Sequence, residues 1–327
     1  NNDFSGTLPT DIFLLNNIIS LDLSHNSMNN TYFGASMPLD DVLSSYGNYS
    51  SIITLRLNDN NFHGHVPERI SIMGQLKELD LSNNDLSSSI PSAWSTLTDL
   101  TSLRLSSNAL VGTVPPTLIA NNDGLTQIKI NDNFFSGDIA TAFSNPSSGL
   151  INSLVELDLS NNRFTGSLAG LASSIGTFTK LNILKLNDQA FVVDSTDISN
   201  SELNWLTDIL QQNPSVLNEL DISNTGLHGA LSSNFMSGAA NGLLSLDISD
   251  NQLSGEIPSS VGLLDSITSF DLSNNVFTGT IPDEMCDMDN VSLITMFPGN
   301  IHLDCYMPCL IPLLNGVITN AAGITTC

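Results

Sequence analysis

Short runs of alternating apolar and polar residues, each closed by an Asn, return along this chain from one end to the other. The clearest is Ile267–Pro282, ITSFDLSNNVFTGTIP. Ile267, Phe270 and Leu272 alternate there with Ser269, Asp271 and Ser273, which predicts a short strand with one face in a core and the other in solvent. Asn275 is expected to turn inward, because backbone leaving a strand at a tight bend carries N–H and C=O groups that must be paired, and a side-chain amide can serve the bends beside it. Phe277 fills the interior behind the strand, Gly279 permits a close or left-handed backbone, and Ile281-Pro282 returns the chain along the opposite side. One such coil cannot bury its own core, so copies must stack.

The full pattern is L-x-x-L-x-L-x-x-N-x-F/L-x-G-x-I-P. It places strands at Leu21, Leu55, Leu79, Leu103, Ile128, Leu157, Leu184, Leu220, Leu246 and Phe270. The inward polar position follows at Asn26, Asn60, Asn84, Asn108, Asn133, Asn162, Gln189, Thr225, Asn251 and Asn275. The usual step is about 24 residues, which marks a repeat architecture. The longest interval, 36 residues, separates Gln189 from Thr225, where the ladder exchanges its amide for a hydroxyl. Within it, Leu203, Leu206, Ile209 and Leu210 predict an amphipathic helix over 199–212, with Ser199 or Ser201 as N-cap and Trp205 near its apolar edge.

These residues resemble the plant-type extracellular leucine-rich repeat, whose signature adds a G-x-I-P tail. The resemblance covers Asn2 to Pro282 and is carried by Gly64-His65-Val66-Pro67, Gly112-Thr113-Val114-Pro115, Gly255-Glu256-Ile257-Pro258 and Gly279-Thr280-Ile281-Pro282. Ala140, Ala169 and Ser232 stand where Pro is expected. What the resemblance implies is an α/β solenoid: a superhelix with a parallel concave sheet of about ten strands, short helices and turns on the convex side, and a disulfide-tied C-terminal cap. Two segments follow, a solenoid over 1–285 that starts in mid-repeat and a cysteine-containing cap over 286–327. Because NNDFSGTLP is the second half of a repeat, a mature or truncated start is expected. The strand at Leu21 should then present an open edge, thinly covered around Phe4, Leu8 and Leu21, where upstream residues or a second copy of the chain would pair.

All four cysteines, Cys286, Cys305, Cys309 and Cys327, lie beyond the last good repeat. An even count in a terminal segment reads as a disulfide framework, with the pairing open among three arrangements. Zinc is the rival reading, and its spacing is poor, with steps of 19, 4 and 18 residues. Glycosylation signals stand at Asn29, Asn48 and Asn290. The first two fall in an insertion around 27–50 that carries Tyr32, Phe33, Tyr46 and Tyr49 and is expected to leave the solenoid edge as a loop.

Eight basic against 33 acidic residues give a net charge of −25, which repels nucleic acid and anionic lipid. No apolar run approaches the roughly 18 residues of a membrane span, so no direct membrane insertion is expected of this fragment. The middle strand position reads Asp22, Arg56, Asp80, Arg104, Lys129, Asp158, Lys185, Asp221, Asp247, Asp271, and is expected to be exposed on the concave face. Six of its nine neighbouring pairs set opposite charges side by side. The row ends in three acids, and with Glu219 and Asp250 they form a candidate patch for a basic partner or a cation, calcium being the candidate ion.

Enzymatic constellations are lacking: there is no G-x-S-x-G, Walker loop or H-E-x-x-H, and His63-Gly64-His65 reads as an exposed turn around the repeat glycine. The expectation is a non-enzymatic extracellular or cell-surface domain for recognition or adhesion, without a resident cofactor, binding a protein, peptide or glycan. The alternative is a structural protomer of a wall, sheath or filament, assembling through its ends or flanks.

Overall fold

The computed structural model describes residues 2–8, 17–29, 51–189 except 167, 216–288 except 234 and 236–241, and 290–303 except 297, 298 and 301, with single residues and short pieces elsewhere. The chain forms two compact units, Asn1–Phe164 and Thr165–Cys327. In the first, the strands Ser20–Asp22, Thr54–Arg56, Glu78–Asp80, Ser102–Arg104, Gln127–Lys129 and Glu156–Asp158 lie parallel and in chain order. Their central apolar residues stand in register from Leu21 through Leu157 and are all buried. In the second unit the parallel order is Ile183–Lys185, Glu219–Asp221, Ser245–Asp247, Ser269–Asp271 and Leu293–Thr295. Ten of these strands are the expected ones. The eleventh, Leu293–Thr295, continues the repeat past Pro282, and Asn300 takes the inward place there, its Nδ2 donating to Leu272 O and Met296 O at 2.8 Å.

The polar ladder works as the bends require. Nδ2 of Asn84 donates to Leu57 O, Leu81 O and Ser82 O at 3.0–3.1 Å, while its Oδ1 accepts from Phe62 N at 3.0 Å. One buried amide thus closes groups from two coils, and the residue before it, Asn83, sits at φ 53° to turn the chain inward. Thr225 has no amide. Its hydroxyl donates to Ile222 O at 2.8 Å, while Asn251 Oδ1 of the next coil accepts from Leu227 N, as the ladder residues of regular coils do, and from Thr225 N besides. The hydroxyl thus reaches one carbonyl where the Asn84 amide reaches three. Of the predicted 199–212 helix, only Ile209 lies among the described residues, and it is buried.

Each unit also carries a flanking parallel sheet that the repeat pattern did not announce. In the first unit it runs through His63–His65, Asp85–Ser88, Ala109–Gly112 and Phe134–Asp138. In the second it runs through His228–Ala230, Gln252–Glu256, Val276–Gly279 and His302–Leu303. His63 and His65 therefore sit on a strand rather than a turn. Ser27–Asn29 pairs with Ser5–Thr7, so the start of the expected loop is part of the stack, and Thr31–Tyr32 with Ala35–Ser36 forms a separate antiparallel pair. Leu8 and Leu21 are buried, against the expectation of thin cover, while Phe4 is 59% exposed.

Behind the strands the coils return through short helices such as Ser92–Thr96, where buried Trp94 donates its Nε1 proton to Pro67 O at 3.1 Å. Cys286 and Cys309 are joined by a disulfide, with Cα atoms 5.8 Å apart, which removes two thiols from the zinc reading. The side chain of Cys305, and Cys327, lie outside the described residues.

Candidate recognition surfaces

Side chains alternate along a strand, so the residues flanking each buried Leu must share the opposite face. On the first unit this face carries one continuous polar network. Arg56 binds Asp22 Oδ2 at 3.2 Å and Glu78 Oε2 at 2.7 Å. Arg104 approaches Glu78 at 3.5 Å and Asp80 at 3.6 Å, and its Nε donates to Gln127 Oε1 at 2.6 Å. Gln127 Nε2 donates to Glu156, which also takes Lys129 Nζ at 2.6 Å. The Ser24 hydroxyl, and then Arg56, hold the Asp22 carboxyl below its ordinary range, while Glu78 and Asp22 push the Arg56 guanidinium further up.

Two expectations for the charged row need correction. Asp80 and Asp158 are buried, only 5% and 9% exposed, their short carboxyls tied back to Ser82 and Ser160, with Arg104 also 3.6 Å from Asp80. The close ion pairs of Lys129 and Lys185 are also made with acids other than those of the middle position. They are Glu156 and Glu219, one exposed position earlier on the neighbouring strand. The signal was present in the sequence as ELD at 78–80, 156–158 and 219–221, where the Glu reaches farther than the Asp.

A groove of about 420 Å³ lies over this network, lined by Glu78, Thr101, Arg104, Gln127, Val155 and Glu156 among others. Val155 is 39% exposed and gives the groove an apolar wall. Its polar groups are held in place before any ligand arrives.

The second unit carries a different face. Glu219 is taken by Lys185 at 2.7 Å, and Asp250 Oδ1 accepts from Asn274 Nδ2 at 2.8 Å on the rim while its charge still acts on Asp247, so the strand face itself presents Asp221, Asp247 and Asp271 in register on adjacent strands. Each is tied locally to the Ser two residues on, as in the 2.6 Å bond from Ser249 Oγ to Asp247 Oδ1. Burial first, then the neighbouring carboxylates, raises the Asp247 carboxyl; burial, with Asp247 as a smaller cause, raises that of Asp221. Among the described residues no three His, Cys, Asp or Glu side chains converge as metal ligands. The chemical asymmetry is wide: the last Lys or Arg is Lys185, while residues 186–327 hold 17 acids.

Leucine rich repeat family patterns match residues 50–110, and again 153–174, 242–264 and 266–288. Leucine-rich repeats are therefore present in both units. It superposes on the plant peptide hormone receptor RGFR1 in complex with RGF2 with a TM-score of 0.73 and 24% identity, covering 94% of this chain and 43% of that one. It superposes on a TDR receptor with a TM-score of 0.68 and 27% identity, covering 93% and 49%. The Arabidopsis receptor kinase HAESA ectodomain, in complex with an IDA peptide hormone, gives 0.69 and 21%, covering 93% and 49%. This chain thus spans less than half the length of these three. No curated protein sequence matches it. Among its described residues no helix is long and apolar enough to cross a membrane.

A second ladder in this leucine-rich-repeat chain escaped the sequence reading. The residue before each inward amide has a left-handed φ of 48–56° and alternates between Asp and Asn in several coils. Asn83 donates to Asp59 at 2.9 Å, Asn161 to Asp132 at 2.6 Å and Asn224 to Asp188 at 2.8 Å, so these acids are used up along the rim. Of the glycosylation signals, Asn29 lies half-buried on a strand, Asn48 falls outside the described residues, and Asn290 is exposed with its Nδ2 on Asp265 O at 2.6 Å.

Proposed function

We propose that this chain is a non-enzymatic extracellular recognition domain that holds a protein or peptide segment against the outward strand face. The observation that carries the reading is the groove between Glu78 and Glu156, where Arg104 and Gln127 are pinned by neighbours and Val155 offers an apolar contact. Preset donors and acceptors lower the ordering cost of binding, and a mixed-charge groove selects an extended segment that has both polar and apolar side chains. The peptide hormones bound by RGFR1 and HAESA in their complexes support the choice of ligand class. The Cys286–Cys309 disulfide and the exposed sequon at Asn290 support the extracellular placement.

The test is selection of a displayed library of secreted peptides against the whole chain, followed by titration of enriched peptides against Arg104→Glu and Val276→Ser variants. Loss of about tenfold in affinity is expected for Arg104→Glu, with no change for the flank variant. Absence of any enrichment, together with concentration-dependent self-association in sedimentation, would replace this reading by the structural-protomer one.

A further inference from the structure

We propose that a groove on the flank of the second unit, built from residues outside the parallel strand face, docks a basic segment of a partner protein. The groove encloses about 600 Å³ and crosses three consecutive coils. Ala230, Leu231, Ile257, Pro258 and Pro282 form an apolar floor, and Glu256, Asp283 and Glu284 stand along it as exposed carboxylates. Neighbouring coils are held in register there by the pairing of Ala230 with Ser254 and of Glu256 with Thr278.

Two of the three acids are placed by close packing on glycines. A Cβ at Gly279 would come within 3.0 Å of Glu256 Cγ, so the bare backbone at 279 is what lets the Glu256 side chain lie across the next coil. At Gly262 a Cβ would meet Glu284 O at 2.5 Å, so the turn bearing Glu284 closes directly on the preceding one. Gly279 makes room for the Glu256 side chain, and Gly262 sets the backbone that carries Glu284.

Charge decides the occupant. Residues 186–327 contain no Lys or Arg, and among the described residues none of the three rim acids forms an ion pair. A Lys or Arg side chain fits both parts of the groove, its aliphatic stem over Pro258 and Pro282 and its charged head among the carboxylates. A hydrated divalent cation would use only the rim and leave the apolar floor uncovered, and no three acids converge to hold one. The unit's unneutralised field would also draw such a segment in before contact.

The experiment titrates the whole chain into a fluorophore-labelled peptide, acetyl-Gly-Arg-Gly-Arg-Gly-amide, and reads anisotropy at physiological salt. Two triple variants are compared: Glu256→Gln with Asp283→Asn and Glu284→Gln in the groove, and Asp221→Asn with Asp247→Asn and Asp271→Asn on the strand face. The expected result is a loss of about tenfold for the groove triple and less than about twofold for the strand-face triple. A photoreactive residue at Thr280 should crosslink the peptide. If the groove triple does not fold, Glu256→Gln alone is expected to weaken binding about threefold. Equal losses in both triples, displacement of the peptide by millimolar calcium, or no binding by the native chain would overturn the proposal. Because the strand-face groove around Arg104 is untouched in both triples, failure here is separable from failure of the recognition reading.

Discussion

Arg56 in the first unit lies between Asp22 and Glu78, whereas Asp247 in the second lies between Asp221 and Asp271 with no base beside it. Both residues occupy the same place on the same kind of strand, and both units bury the same Leu and Asn positions behind it. The strand backbone therefore does not dictate the charge of its face. What differs is the residue set between the buried positions, and it converts one face into a self-satisfied network and the other into a row of acids tied to their own serines, with Lys185 acting at the Asp221 end. A face of the first kind resists change because its groups already have partners. A face of the second kind raises its carboxyls, first by burial and then by keeping like charges side by side.

The largest effect should come from what the two units share. Asn84→Ala removes a buried amide that serves three carbonyls and one N–H, and a cost of about 3 kcal/mol is expected from those groups left unpaired. In a stacked array such damage spreads through nearest neighbours. Hydrogen exchange should therefore show lost protection in the coils around residue 84 and retained protection beyond residue 242; uniform loss across both would contradict the local picture.

A smaller effect separates the units. Arg56→Met keeps the stem and removes the charge, leaving Asp22 without its base and Glu78 with only the longer contact to Arg104. Destabilisation of about 1 kcal/mol is expected, shrinking as salt is raised to about 0.5 M, because half-exposed pairs are modest and screened. A loss that does not respond to salt would mean that packing of the stem, already kept in Met, was never the issue and that the network is more deeply desolvated than its exposure implies.

The smallest effect has the opposite sign. The folded state raises the carboxyls of Asp221 and Asp247, so it binds more protons than the unfolded chain as pH climbs from about 4, and stability falls through that range. Asp221→Asn with Asp247→Asn keeps the Oδ1 acceptors for Ser223 and Ser249 and removes both charges. At pH 7 a gain of a few tenths of a kcal/mol is expected after allowing for solvent screening, and it should vanish below about pH 4, where the native carboxyls are protonated too. A double variant less stable than the native chain at pH 7 would show that the acids are already compensated.

The coil pattern was legible because it depends on local rules. Leu55, Asn60 and Phe62 have the same neighbours in every stack, so a buried strand position, an inward amide and an interior aromatic follow from spacing alone. The flanking sheets were not legible, since His63–His65 and Gln252–Glu256 pair with strands about a repeat away and have no alternation of their own to mark them. The ion-pair partners were half visible. Opposite charges at one strand position suggested Lys129 with Asp158, yet reach favoured Glu156, and only side-chain length set against strand spacing decides between them.

By itself, then, the sequence determined the repeat, the ten strands, the polar ladder and the absence of bases after Lys185, because each is a matter of residue type at a fixed interval. Tertiary structure decided the rest. It buried Asp80 and Asp158, paired Glu219 with Lys185, tied Asp250 to Asn274 on the rim, and left Thr225 with one carbonyl partner where an amide reaches three. Those outcomes depend on which side chain is long enough to cross from one coil to the next, a distance that exists only once the coils are stacked.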